Sequence, residues 1–126
     1  MNHGPFTLIE VRQTDRFGRG VFAAHPIDKD IVIEHAPLIV LDENDTALVR
    51  DSNVLVYYDF SFNEKYSAIA GGYGSFYNHS QDPNVDWEVD QEAQEIKYWT
   101  TRPIKKDEQL FINYGYEAKE YFSVEK

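Results

Sequence analysis

"SFYNHSQDPN" occupies residues 75–84. The aromatic pair Phe76-Tyr77 reads as core, whereas Ser80, Asp82, Pro83 and Asn84 are turn formers. An amide and an imidazole, Asn78 and His79, stand where the chain passes from core to loop. Alone, the stretch is a polar loop and His79 an ordinary hydrogen-bonding histidine. The remaining histidines, His3, His25 and His35, have neither i,i+4 nor HExxH spacing, which argues against a metal site.

Immediately downstream, Val85, Trp87 and Val89 alternate with Asp86, Glu88 and Asp90, the pattern of a strand with one wet face. "DQEAQ" then turns the chain into "EIKYWTT", which predicts a hairpin. Further strands are predicted at 6–11, 21–24, 31–33, 38–41, 54–60 and 110–114. "NDTALVRDS" predicts a short helix capped by Asn44 or Asp45, and "YEAKEYFSVEK" a second. "PIDKDI" at Pro26 echoes "PIKKDE" at Pro103, each leading into a strand, which implies two similar strand starts. Short strands and dense Gly and Pro punctuation predict a mainly β domain with little helix.

The 126 residues fit one domain, 1–126, with 42% hydrophobic and 15% aromatic residues to build its core. Absence of Cys excludes disulfides, thiolate nucleophiles and thiolate metal sites. "MNHGPFTLIEVRQ" has no basic segment followed by an apolar run, so neither a signal peptide nor a membrane span is expected. With 22 acidic against 12 basic residues the net charge is −10. That disfavours direct nucleic-acid binding, which needs a basic patch, and suits a basic partner.

Two further stretches matter. "FGRGVFA", residues 17–23, flanks Arg19 with glycines that let backbone approach a ligand, although taken alone a tight turn into strand Val21-Phe22 explains it better. It is neither a P-loop nor a dinucleotide fingerprint, since no Gly-Lys-Ser/Thr and no helix pattern follows. "DEQLFINYGYE", residues 107–117, ends an apolar strand with Tyr114 and Tyr116 around Gly115. Two neighbouring phenols can line a narrow slot or cap a strand end.

Taken in order, "GRGVF", "FYNHSQDPN" and "EQLFINYG" resemble the three motifs of the SET domain of protein lysine methyltransferases. The resemblance covers residues 6 to about 117, leaving 118–126 as a tail, and looks closest to short stand-alone viral and bacterial members. It implies a β-clip fold of short curved strands in small sheets, with a knot-like crossing of the C-terminal segment past the Asn-His-Ser strand. That arrangement is an exception to the rule against threading.

The resemblance also implies the cofactor S-adenosylmethionine, held by Gly18, Arg19, Gly20, Val21, Phe22, Asn78 and His79. Tyr114 would be the catalytic residue, its hydroxyl lying between methyl donor and lysine nitrogen. Tyr121 or Phe122 would stack on the adenine, at a spacing about three residues longer than in relatives. Tyr58, Trp87 and Tyr116 would wall the substrate-lysine channel, since aromatic faces suit an alkyl stem and an ammonium. Ile112 stands where relatives vary Phe and Tyr to set methyl number; without a hydroxyl it implies no block on multiple methylation.

Departures from the family pattern are Gln81 for a common Cys, Gln109 for a Glu, and Ser75 for an Arg. They bear on substrate identity more than on activity. The expected partner is a basic protein or peptide, a histone tail among the candidates. A non-histone target, or a catalytically weak module that only holds a basic segment, stays open beside it. Short relatives can form homodimers. An intracellular, soluble protein is expected, acting in the cytoplasm or, if viral or a secreted effector, in a host nucleus.

Overall fold

Alternation in residues 85–90 produces the expected half-buried strand. The structure, a computed structural model, describes residues 7–16, 18–63 and 65–115. Strand β7 (Val85–Asp90) buries Val85, half-buries Trp87 and Val89, and exposes the three acids between them. It pairs antiparallel with β8 (Glu95–Thr100), which buries Ile96, Tyr98 and Thr100. Gln94 ends the connecting turn at φ 54, a conformation polar turn residues tolerate better than branched ones.

Seven other strands are described: β1 (Ile9–Gln13), β2 (Arg19–Ala23), β3 (Val32–Val40), β4 (Asp59–Ser61), β5 (Ser67–Ala70), β6 (Asn78–His79) and β9 (Gln109–Ile112). They form a four-stranded sheet, β1-β2-β9-β6, and a five-stranded sheet, β4-β5-β3-β8-β7. All pairs are antiparallel except β6 with β9, which run parallel with Asn78 opposite Phe111 and His79 opposite Ile112.

The two Pro-Ile-x-Lys-Asp turns explain how the sheets join. Ile27 and Ile104 exchange backbone hydrogen bonds of 2.9 and 2.7 Å. Asp107 N–H donates to Ala23 O, and, at the matching position of the other copy, Asp30 N–H donates to Thr100 O. Asp30 and Asp107 both take positive φ, 64° and 70°. Strand β2 leads through the first turn into β3 but pairs with β9, and β8 leads through the second into β9 but pairs with β3. The two copies thus exchange strands, and Ile27 and Ile104 seat together in the core with Val21, Leu110 and Ile112.

Three expectations change. Residues 31–33 and 38–41 belong to one strand, β3, which runs through Pro37. Its pairing passes from β8 to β5 at that residue, so the missing proline N–H falls at the handover, while Pro37 O accepts from Gly71 N–H. Residues 55–57 form a 3₁₀ turn rather than strand, because Ser52 Oγ accepts from Val54 and Leu55 N–H and Tyr58 N–H closes onto Leu55 O. Helix α1 (Glu43–Arg50) is capped by Asp42, not Asn44 or Asp45: Asp42 is extended and accepts from Asp45 N–H at 2.8 Å. The expected second helix lies outside the described residues. No helix among the described residues is long and apolar enough to cross a membrane.

Candidate active site

The order β2-β9-β6 brings the three motifs together. Gly20 on β2 faces Asn78 on β6 across Gln109 on β9. Asn78 Nδ2 donates to Arg19 O at 3.0 Å and to Gln109 Oε1 at 2.9 Å. A Cβ on Gly20 would lie 2.5 Å from Gln109 Oε1 and 2.9 Å from Asn78 Nδ2, so only glycine permits this closeness. Gly18 turns the chain at φ 72, and its carbonyl accepts from both Thr14 N–H and Thr14 Oγ1. Gly20→Ala is expected to break the Asn78–Gln109 bond, lowering stability by about 1–2 kcal/mol. An unchanged melting temperature would contradict this role for Gly20.

The remaining expected cofactor residues fall into two groups. Arg19 is exposed, its guanidinium 6.0 Å from the Phe76 ring centroid, and Phe22 is half-buried under the Arg12 guanidinium. Val21 has no exposure and packs in the core, so only its backbone lies at the loop.

Tyr114 follows β9 and reaches back to β6. Its N–H donates to His79 Nδ1 at 3.0 Å, and its hydroxyl donates to Tyr77 O at 2.6 Å. The His79 and Tyr114 rings stand 5.2 Å apart. Nδ1 of His79 is thus an acceptor, and this bond orients the Tyr114 backbone. Burial, and then the neighbouring Tyr58 phenol, push the Tyr114 hydroxyl well above its usual range. It therefore stays protonated near neutral pH, as the donor to the Tyr77 carbonyl.

Tyr58 is 41% exposed. Trp87 Nε1 donates to Asn113 O at 2.7 Å, and its ring meets Phe60 edge-on at 5.5 Å. It thus pins the residue before Tyr114 while remaining half-buried. Ile112, fully buried, is itself the residue that pairs with His79 across β6 and β9. Tyr116, Tyr121 and Phe122 lie outside the described residues.

Several working residues are not evident from the sequence. Asn84, which reads as a turn residue, is 1% exposed and holds β9: Nδ2 donates to Glu108 Oε2 and Gln109 O, and Oδ1 accepts from Phe111 N–H. Gln109, a departure from the family pattern, is the partner of Asn78. Glu34 accepts from Tyr73 N–H and from the Tyr77 hydroxyl. Burial raises its pKa from the ordinary 4.5, with the two hydrogen bonds opposing the rise. The sign is that of a raised carboxyl: its favourable contribution is complete below the unfolded value and is lost as pH climbs through the folded one. A carboxylate in the apolar run "IVIEHA" is the one sequence signal that marks it.

A family model for the SET domain matches residues 18–115. The chain belongs to the SET-domain family of protein lysine methyltransferases. Over 107 residues it is 38% identical to a Schizosaccharomyces pombe histone-lysine N-methyltransferase, specific for H3 lysine-37, with 85% of this chain and 73% of that protein covered. A crystal structure of a Plasmodium falciparum protein, described as a candidate histone methyltransferase, superposes with TM-score 0.71 at 26% identity, covering 87% of this chain and 95% of that one. Both relatives are eukaryotic, whereas the sequence motifs suggest short viral and bacterial members. The mainly β SET fold is the one expected.

Proposed function

We propose that this SET domain transfers a methyl group from S-adenosylmethionine to the side-chain amine of lysine in a basic protein segment, with histone H3 the first candidate. The observation that carries this is Tyr114: its hydroxyl is anchored on the Tyr77 carbonyl, one residue before the Asn78 that clasps the glycine turn.

The loop chemistry fits the cofactor. Gly18 has open space where a side chain would stand, and Arg19 offers an exposed guanidinium to a carboxylate. Both Asn78 amide hydrogens are engaged within the protein, so Asn78 acts by fixing backbone, which then presents its own donors and acceptors. When bound, S-adenosylmethionine supplies an electrophilic methyl group on a sulfonium sulfur. The chain's residues do the rest by positioning, which is the larger part of catalysis for an in-line transfer.

A lysine must arrive neutral, which costs about 4 kcal/mol near pH 7.4. Desolvation beside Tyr58 and Tyr114 lowers that cost. Tyr114, held protonated, cannot take the proton, so loss to water along the aromatic slot is the route. Tyr58 forms the outer wall and Trp87 braces the segment carrying Tyr114; Tyr116 is assigned a wall position by its motif alone.

An acidic surface steers such a substrate. Asp86, Glu88 and Asp90 line the exposed face of edge strand β7, beside Trp87, within a chain of net charge −10. kcat/KM on a basic peptide is expected to fall several-fold once salt passes about 0.1 M. A flat salt profile would remove the steering role.

The test is transfer from tritiated S-adenosylmethionine to core histones, a lysine-rich peptide and free lysine. Labelling of protein but not free lysine is expected. A module that only holds a basic segment would bind the same peptides and label none, and that outcome overturns the proposal. Labelling of the peptide but no histone would place the target outside chromatin.

A further inference from the structure

We propose that Glu34 is a positioning residue for Tyr114, acting through Tyr77. The inference rests on the reading of Tyr114 given above and adds a residue that no motif contains.

Glu34 lies on β3 where the register with β8 shifts, between Val32 and Glu34. Such an irregularity re-aims a side chain out of the regular pleat. Its two oxygens take two separate donors: Oε2 accepts from Tyr73 N–H at 2.7 Å, and Oε1 from the Tyr77 hydroxyl at 2.8 Å. Gly72, at φ 57, leaves the space beside Oε2 that a side chain would fill. Tyr77 is 1% exposed, and its ring stacks on Tyr98 at 4.2 Å. The Tyr98 hydroxyl donates to Gly74 O at 3.3 Å. Residues 72–77 are therefore held at both ends, and the last of them presents the carbonyl that receives the Tyr114 hydroxyl.

What marks Glu34 as more than packing is its charge. Among the described residues no cation is paired with it. Partly burying a carboxylate without a cation costs stability, and a glutamine would fill the same volume. Glutamine, however, accepts at one end only. A glutamine could meet both groups only by donating its Nε2–H to the Tyr77 oxygen, which reverses that bond and turns the phenol hydrogen away; a carboxylate accepts from both donors at once. The site keeps the costly group because it holds the Tyr77 ring, and with it the Tyr77 carbonyl, in one place.

The experiment compares wild type, Glu34→Gln, Tyr77→Phe and the double variant. Histone H3 and tritiated S-adenosylmethionine are the probes. Melting temperature is read at pH 7.5, and carbon-13 tyrosine ring resonances are recorded, with Tyr114 assigned by its loss in Tyr114→Phe. Each single variant is expected to lower kcat about tenfold with KM for H3 within twofold, and to move the Tyr114 resonance. Glu34→Gln should melt no lower than wild type, and the double variant should be no worse than either single one.

A folded Glu34→Gln with kcat within twofold of wild type overturns the proposal. So does a kcat loss that follows melting temperature, adds fully in the double variant and leaves the Tyr114 resonance unmoved. If wild-type protein transfers nothing to H3, the functional reading fails separately. The Tyr114 resonance then decides this inference alone: moved in Glu34→Gln supports it, unmoved overturns it.

Discussion

Tyr114→Phe is expected to lower kcat by about 100-fold or more, with the fold retained and S-adenosylmethionine affinity within a few-fold of wild type. The variant removes one oxygen and nothing else. That hydroxyl donates to the Tyr77 carbonyl at 2.6 Å, which fixes its direction, while the backbone of Tyr114 is held separately by His79. A fixed dipole in a partly desolvated site needs no reorganisation as charge moves, so its loss falls on turnover rather than on binding. The high pKa of the phenol predicts a second feature. No limb of the wild-type pH–rate profile near neutrality should belong to Tyr114, and the acidic limb should report the substrate lysine instead. A Phe variant turning over within a few-fold of wild type would remove Tyr114 from the chemistry.

Asn84→Ala is expected to destabilise the domain by about 3 kcal/mol, lowering the melting temperature by roughly 10 °C. Three hydrogen bonds disappear at a residue with 1% exposure, and the Phe111 N–H and Gln109 carbonyl lose a partner together. Buried groups left unpaired lose their full desolvation energy, which is why the effect exceeds that of an ordinary polar deletion. Phe111 pairs with Asn78 and Gln109 bonds to it, so the loss should also reach the glycine clasp. Urea unfolding with an unchanged m-value would measure the effect; a loss below about 1 kcal/mol would show that β9 does not depend on this side chain.

The features legible in the sequence are those fixed by near neighbours. Alternation placed β7 and β8 because side chains on a strand sort into two faces regardless of what lies beyond. The repeated Pro-Ile-x-Lys-Asp turn was visible as an echo, since each copy is written locally. That Ile27 and Ile104 bond to each other was not visible, because 77 residues separate them and only the fold brings them together. The 3₁₀ turn at 55–57 read as strand because Val, Leu and Tyr suit both, and a single hydroxyl, Ser52, decided the matter. Asn84 read as a turn former by residue type, while its role comes from contacts 24 to 27 residues away. Gln109 and Glu34 escaped for the same reason: what they do is set by the side chains they meet, Asn78 and Tyr77. Tyr114, Gly20 and Asn78 were legible together only because their order along the chain resembles a known set of motifs.

One measurement addresses the central claim most directly. Histone H3 incubated with S-adenosylmethionine and the wild-type protein, then read by tandem mass spectrometry, should carry new methyl groups on lysine side-chain nitrogen, and none when Tyr114→Phe replaces the wild type over the same time. Intact, folded wild-type protein that binds S-adenosylmethionine yet leaves H3 and every other basic protein offered without a methylated lysine would contradict it.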